Sequence, residues 1–437
     1  MAKDGPAAAN RIPLNQVRHI LEQFRGQVET QPQGWAEGRN PNPVEFLYRR
    51  AHLLIRDQDL PRLRDAKVYG EVVRHPVPGL ALVYLPQLGR KNLLDVLAQV
   101  NMRARGNFVT PDHMMHVCFD PKPGTHCPAT EPDGVPRDAR PLPAVSASHC
   151  DGRGALVAVV DTGLLKTAPE LHPWLHGVTG TLEREVSRKK PHRISRYTAH
   201  GTFIASIVRA MAPRAQVRVE RIFERAGANF ESEVVKELYQ VMDYAPDIIS
   251  LSAGTHTWLD RGLLSFRIFV DGPLRERSET VLVACAGNDG QDWKFSPAKM
   301  KGVLSVGALA ANGEERAGFS NHGDWVKVYA PGEDLVHAYA HGTYHYFETP
   351  GRKNHKFHGM ARWSGTSFST PVVAGLIAAR MSGTGETARE AASSLLLLAR
   401  AQALPGVGPV LRPGQACLGL DCRSRCRCDC RECGCQE

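Results

Sequence analysis

The sequence predicts an α/β fold: a three-layer sandwich with a mostly parallel central sheet, preceded by a small α+β domain. Three observations carry this. From about Cys150 to Ala401, continuous apolar runs alternate with segments whose apolar residues recur at helical spacing, as expected of strands covered on both faces by helices. Upstream, residues 45–120 follow a β-α-β-β-α-β outline. Between the two, Pro121 to Pro143 carries seven prolines in 23 residues, which neither a helix nor a sheet ladder accommodates.

Residues 1–44 form an N-terminal arm, with a short helix expected over Gln16 to Phe24 from Val17, Ile20, Leu21 and Phe24 on one face. In the 45–120 unit, Phe46 to Ile55 is a strand and Leu60 to Ala66 a helix opened by Asp59 and Pro61. Leu80 to Leu85 is a strand after the Pro78-Gly79 turn, Asn92 to Val100 a helix, and Met114 to Phe119 extended. A linker at 121–148 follows. In the 149–402 domain the strands are Ala155 to Val160, Val217 to Ile222, Ile248 to Leu251, Val281 to Ala286, Val303 to Val306 and Val326 to Tyr329. Phe203 to Met211, Glu231 to Met242 and a segment starting near Ser367 are the helices between them. Residues 403–437 form a cysteine-rich tail.

Composition narrows the function classes. The 437 residues are 42% hydrophobic and 23% charged, as in globular enzymes, and no run is long enough to span a membrane. Met1 to Phe24 lacks the unbroken apolar stretch of a secretory signal, so a cytoplasmic location is expected. The net charge of +9 is spread along the chain without a recognition motif, which argues against nucleic acid as a partner. Of 11 cysteines, seven lie between Cys417 and Cys435; the scattered Cys118, Cys127, Cys150 and Cys285 suggest no disulfide framework across the fold.

The chemistry sits in four short strings. Asp161 ends the apolar run Leu156 to Val160, placing a carboxylate at the C-terminal end of a buried strand, where open α/β sheets put their sites. His200 opens a helix and is followed by Gly201, which permits close backbone approach. Ser367 lies in Gly365-Thr-Ser-Phe-Ser-Thr-Pro371 at the start of an apolar helix, whose unpaired N–H groups stabilise a growing negative charge. Asn288 ends the run Val281 to Gly287, where its amide can donate to an oxyanion or simply make an Asn-Asp-Gly turn. A hydroxyl needs an imidazole to take its proton, and the imidazole needs a carboxylate to fix its tautomer. Since position 369 is serine, the serine string is not the Gly-x-Ser-x-Gly elbow of α/β-hydrolases.

With these motifs in the order Asp, His, Ser, the chain resembles the subtilisin-like serine peptidases (subtilases) from Ala155 to about Met381. The resemblance implies a subtilisin-like sandwich and a serine endopeptidase of broad specificity, with Asp161, His200 and Ser367 as triad and Asn288 as oxyanion donor. It implies that Ser250, Leu251, Ser252, Ala253 and Gly254 form a strand edge that pairs with polypeptide substrates. Ala284, Ala286 and Gly287 would line the other side of the first specificity pocket. No cofactor is required for that chemistry, and no metal or calcium site is assigned within the domain. Where the family commonly continues His-Val-Ala-Gly after the histidine motif, this chain has Phe203-Ile-Ala-Ser206.

Subtilases often carry an N-terminal β-α-β-β-α-β propeptide, and residues 45–119 have that outline by pattern. Two readings stay open: a cis-inhibitory module released by cleavage in the linker, or a permanent accessory domain. The insertion between Gly332 and Gly365 carries His337, His341, His345, His355 and His358, which could bind metal, but their scatter over a Gly/Pro/aromatic hairpin-like loop favours a solvated insertion. In the tail, Cys426-Arg-Cys428-Asp-Cys430 and Cys433-Gly-Cys435 suit a soft ion such as zinc or copper, or a redox-sensitive segment. The alternative to an enzyme is a non-catalytic binding or regulatory module on the same scaffold, with the tail as metal or redox sensor. Oligomeric state is not legible.

Overall fold

The computed structural model describes residues 15–31, 45–89, 91–117, 130–183, 193–346 and 352–418. The N-terminal part runs α1 (Asn15–Gln23), β1 (Val28–Gln31), β2 (Phe46–Arg56), α2 (Pro61–Asp65), β3 (Glu71–Val77), β4 (Leu80–Tyr84), α3 (Leu93–Arg103) and β5 (Val109–His116). Asn92 caps α3 by accepting the Leu94 N–H at 2.8 Å, and Leu93, Leu94, Leu97 and Val100 pack on the sheet face formed by Leu53, Ile55, Ala81 and Val83. The sequence pattern does not show β3. It lies at the sheet's outer edge with Val72 and Val73 both exposed, so no inward-outward alternation marks it.

The second part runs β6 (Leu156–Asp161), α4 (Ala168–Leu171), β7 (Thr179–Gly180), β8 (Arg193–Ile194), α5 (His200–Met211), β9 (Gln216–Arg221), β10 (Ala228–Phe230), α6 (Glu231–Asp243) and β11 (Ile248–Leu251). It continues through α7 (Leu264–Asp271), α8 (Pro273–Glu276), β12 (Val281–Cys285), β13 (Val303–Leu309), β14 (Val328–Pro331), β15 (Leu335–Tyr344), β16 (His355–Trp363), α9 (Thr366–Thr384) and α10 (Ala388–Ala401). The sheet has the order β14-β13-β12-β11-β6-β9-β7, and every neighbouring pair is parallel. Alternate residues face opposite layers. Val157 and Val159 pack under α5 and α9, whereas Ala158 and Val160 pack under α6 and α7. Such burial on both faces is why these strands read as unbroken apolar runs.

After β6 the chain crosses to β9 on one side and then returns to β11 on the other. This reversal opens a crevice at the C-terminal ends of β6 and β11. The N-terminal domain closes over it. Its strand β5 pairs antiparallel with β10, so a strand of the larger domain becomes the outermost strand of the smaller domain's sheet. Below this junction, Glu231 accepts from the His113 N–H, His113 Nδ1, the Ser265 N–H and Ser265 Oγ, and Asp112 accepts from Arg49 and Ser232.

Two expectations are corrected. The described part of the 332–365 insertion is largely packed and not a wholly solvated loop: β15 and β16 form an antiparallel hairpin against α5, with His337, Tyr339, Phe357 and Trp363 buried, while His341 and His358 stay exposed. Aromatic residues supply the burial, and burial holds the His337 imidazole down to about 3 while Ser206 Oγ lies 3.1 Å from its Nδ1. The cysteines do cross-link the fold, because Cys417 is bonded to Cys150 across 267 positions, with their Cα atoms 6.2 Å apart. That pairing follows from the 403–418 segment, which does not trail away: Tyr329 donates to Pro409 O and accepts from the Leu411 N–H, both at 2.8 Å. Linker residues Asp133 and Leu142 make only isolated single bridges, to Arg362 and Val336, and no strand or helix lies among the described linker residues. The remaining tail cysteines lie outside the described residues, and among the described residues no helix is long and apolar enough to cross a membrane.

Candidate active site

Asp161 ends β6 at the crevice, fully buried, and its Oδ1 accepts from the Thr162 N–H at 2.7 Å. His200 begins α5, also fully buried, with Nδ1 2.7 Å from Asp161 Oδ1. Since a carboxylate only accepts, Nδ1 carries the proton and the pair fixes the imidazole's tautomer. Backbone geometry enforces the approach. Ala199 is held in the left-handed region at φ 68°, its N–H donating to Glu183 Oε2 at 2.8 Å. Gly201 comes so near Gly163 that an added Cβ would lie 2.6 Å from the Gly163 carbonyl oxygen. Any other residue at position 201 would push the histidine away from Asp161.

Ser367 occupies the first turn of α9, which packs against α5. Pro371 has no N–H, so the Ser367 carbonyl gains no helical partner four residues on; Ser252 Oγ donates to it instead, at 2.8 Å. This bond ties the end of β11 to the serine turn. The neighbouring Phe368 ring lies 5.4 Å from the His200 ring, and Trp363 of the hairpin meets His200 edge-on at 5.6 Å. These rings wall the imidazole from solvent.

Asn288 follows β12. Its Oδ1 accepts from the Thr366 N–H at 2.9 Å and from Thr366 Oγ1 at 2.8 Å, which fixes the amide orientation because a backbone N–H can only donate. Its Nδ2 is buried and has no hydrogen-bond partner among the described residues. A buried, orphaned donor beside a helix N-terminus is unusual in a settled interior and suits a group that arrives only with substrate.

The remaining expected site residues divide. Ser250 and Leu251 lie inside β11 and pair with β6 on one side and β12 on the other, so they offer no open edge; this corrects the expected stretch. Ala253 is buried and Gly254 lies beyond the strand end, where its backbone exchanges two hydrogen bonds with His116 at 3.0 and 3.1 Å. Opposite, the Val117 N–H donates to Gly227 O at 2.8 Å. The end of β5 therefore runs as an added strand between Gly254 and Gly227. Ala284 lies within β12 and Ala286 and Gly287 directly follow it, all three buried. Sequence reasoning missed Gly227, Trp363 and Phe295; none carries a local motif, since each reaches the crevice only through long-range packing.

Fold and crevice together define an α/β enzyme scaffold with a buried carboxylate-imidazole pair beside a serine-bearing helix start. A family model described as the subtilase family matches residues 152–408, more than half of the chain, and the protein belongs to that family. Among similar sequences, the thermophilic serine proteinase of Bacillus sp. (strain AK1) is 29% identical over 52% of this chain and 51% of its own length. Subtilisin E of Bacillus subtilis (strain 168) is 27% identical over 54% of this chain and 58% of its own length. The chain thus spans about half the length of the first of these relatives. Among solved structures, fervidolysin from Fervidobacterium pennivorans superposes with a TM-score of 0.59 at 20% identity, covering 90% of this chain and 64% of that one. That likeness concerns the fold, and it extends over the N-terminal domain as well.

Proposed function

We propose that this protein is a serine endopeptidase that cleaves polypeptides through an acyl-enzyme. Ser367 Oγ attacks the scissile carbonyl; His200 takes its proton at Nε2 and returns it to the leaving amine, while Asp161 keeps the imidazole oriented and stabilises its charged form. Asn288 Nδ2 and the N–H groups at the start of α9 hold the oxyanion. These steps draw on side chains and backbone alone. The observation that carries the reading is the buried Asp161-His200 pair at 2.7 Å together with the orphaned Asn288 donor. Substrate lies as a strand along Gly254 and Gly227, a mode that reads main chain and supports broad specificity outside the first pocket.

In this reading the N-terminal domain is a cis-inhibitor, because its own strand end occupies the strand-pairing positions that a substrate needs. A cytoplasmic setting would keep Cys150 and Cys417 reduced, whereas the observed bridge persists in oxidising compartments. The test is labelling with a fluorophosphonate together with hydrolysis of a protein substrate. Both are expected in the wild type once the 121–148 linker is cut, and both vanish in Ser367→Ala treated alike, with a loss on the order of 10⁶ in kcat, the size seen when the triad serine is removed from subtilisin. Hydrolysis persisting in Ser367→Ala would overturn the reading.

A further inference from the structure

We propose that Phe295 fills the first specificity pocket and restricts the residue before the scissile bond to small side chains such as alanine or serine. This deepens the peptidase reading above and rests on it. The pocket's walls are the backbone leading to Gly254 on one side and Gly287 on the other. Its third side is the segment of Phe295 and Ser296, since the Thr255 N–H donates to Ser296 O and the Ser296 N–H to Thr255 O, both at 2.9 Å. The Phe295 ring lies between the two glycines. A Cβ added at Gly254 would fall 2.3 Å from Phe295 Cε1, and one at Gly287 would fall 3.0 Å from Phe295 Cγ. Both walls therefore abut the Cγ–Cδ1–Cε1 edge of one aromatic ring, and that ring belongs to the protein.

The ring is also held. Phe295 is fully buried, and the His256 imidazole meets it edge-on at 5.4 Å. His256 is itself fixed, with Nε2 3.2 Å from Asp289 Oδ2 and Nδ1 3.3 Å from Lys294 O. A carboxylate and a carbonyl only accept, so both ring nitrogens of His256 carry protons and the ring cannot turn without losing a contact. Swinging Phe295 aside would expose its apolar face and unseat His256. An incoming aromatic or long aliphatic side chain meets an occupied space; a methyl or hydroxymethyl group does not.

The experiment uses the full chain, incubated until turnover is constant, and tetrapeptide p-nitroanilides that differ only in having alanine, leucine or phenylalanine before the scissile bond. Fluorophosphonate titration normalises each preparation to competent Ser367. In the wild type, kcat/KM for alanine is expected to exceed that for phenylalanine by about tenfold or more, the scale on which pockets reject misfitting groups. Phe295→Ala should raise the phenylalanine-to-alanine ratio by about a hundredfold, and Phe295→Leu should fall between. A wild type preferring phenylalanine, or a ratio unchanged in either variant that still labels, overturns the inference and leaves the peptidase reading standing. Should Phe295→Ala fail to fold, the wild-type ratio and Phe295→Leu decide. Absence of wild-type labelling would instead remove the peptidase reading and the pocket with it.

Discussion

Two buried polar clusters, one in the crevice and one at the seam between the domains, are built from similar groups and end differently. At the seam the titratable groups are matched: Glu231 receives four donors, Asp112 receives Arg49 and Ser232, and His113 Nε2 accepts the Trp258 N–H at 3.0 Å. In the crevice the matching is incomplete: Asn288 Nδ2, Asp161 Oδ2 and Ser250 Oγ are all buried with no hydrogen-bond partner among the described residues. A fully satisfied network in a low-dielectric interior fixes one register, whereas an incomplete one keeps a donor ready for a ligand. Polar burial thus holds the domains together in one place and leaves chemistry to be completed in the other.

The strongest way to break this contrast is Glu231→Ala. It strands the His113 ring and two backbone N–H groups in a dry interior, and removing one partner of such a buried pair costs about 3–5 kcal/mol. Urea unfolding should show that loss; a change under about 1 kcal/mol would mean that the seam contributes register without stability. In the crevice, Asn288→Ala should lower kcat by about 10²–10³-fold with KM little changed, because the donor acts on charge that develops only in the transition state. Equal losses in KM would make Asn288 a ground-state binding group instead.

The same contrast explains what could be read from sequence. The crevice was legible because each part is local: β6 ends in Asp161, His200 and Gly201 are adjacent, and Gly365 to Pro371 carries both the serine turn and the proline that frees its carbonyl. The seam was opaque, since Asp112 and Glu231 are far apart in sequence and look like surface charges until β5 and β10 pair. For that reason the sequence pattern shows β5 only from Met114, although Thr110, Asp112 and His113 are buried polar residues of the strand. The Gly332 to Gly365 insertion misled for the opposite reason: its glycines and histidines suggested solvent, but Tyr339, Phe357 and Trp363 decide its placement.

The smallest expected effect probes the seam through pH. Loss of water raises the Asp112 carboxyl from 3.8 to about 6, with the nearby Glu231 carboxylate adding to the rise while Arg49 and Ser232 oppose it. The folded protein therefore holds a proton between about pH 4 and 6 that the unfolded chain releases. Because the folded form binds more protons there, this group's contribution to stability is greatest at the acid end of the window, declines as pH rises through it, and is level above about 6. The rise of about two units bounds the effect at about 3 kcal/mol. Ser367→Ala, which cannot cleave itself in the proposed mechanism, and Ser367→Ala with Asp112→Asn should be unfolded in urea from pH 4 to 7. Their difference in unfolding free energy should slope between pH 4 and 6 and flatten beyond, since asparagine cannot titrate. Parallel curves across the window would show that Asp112 is ionised in the folded protein throughout, and that Arg49 outweighs its burial.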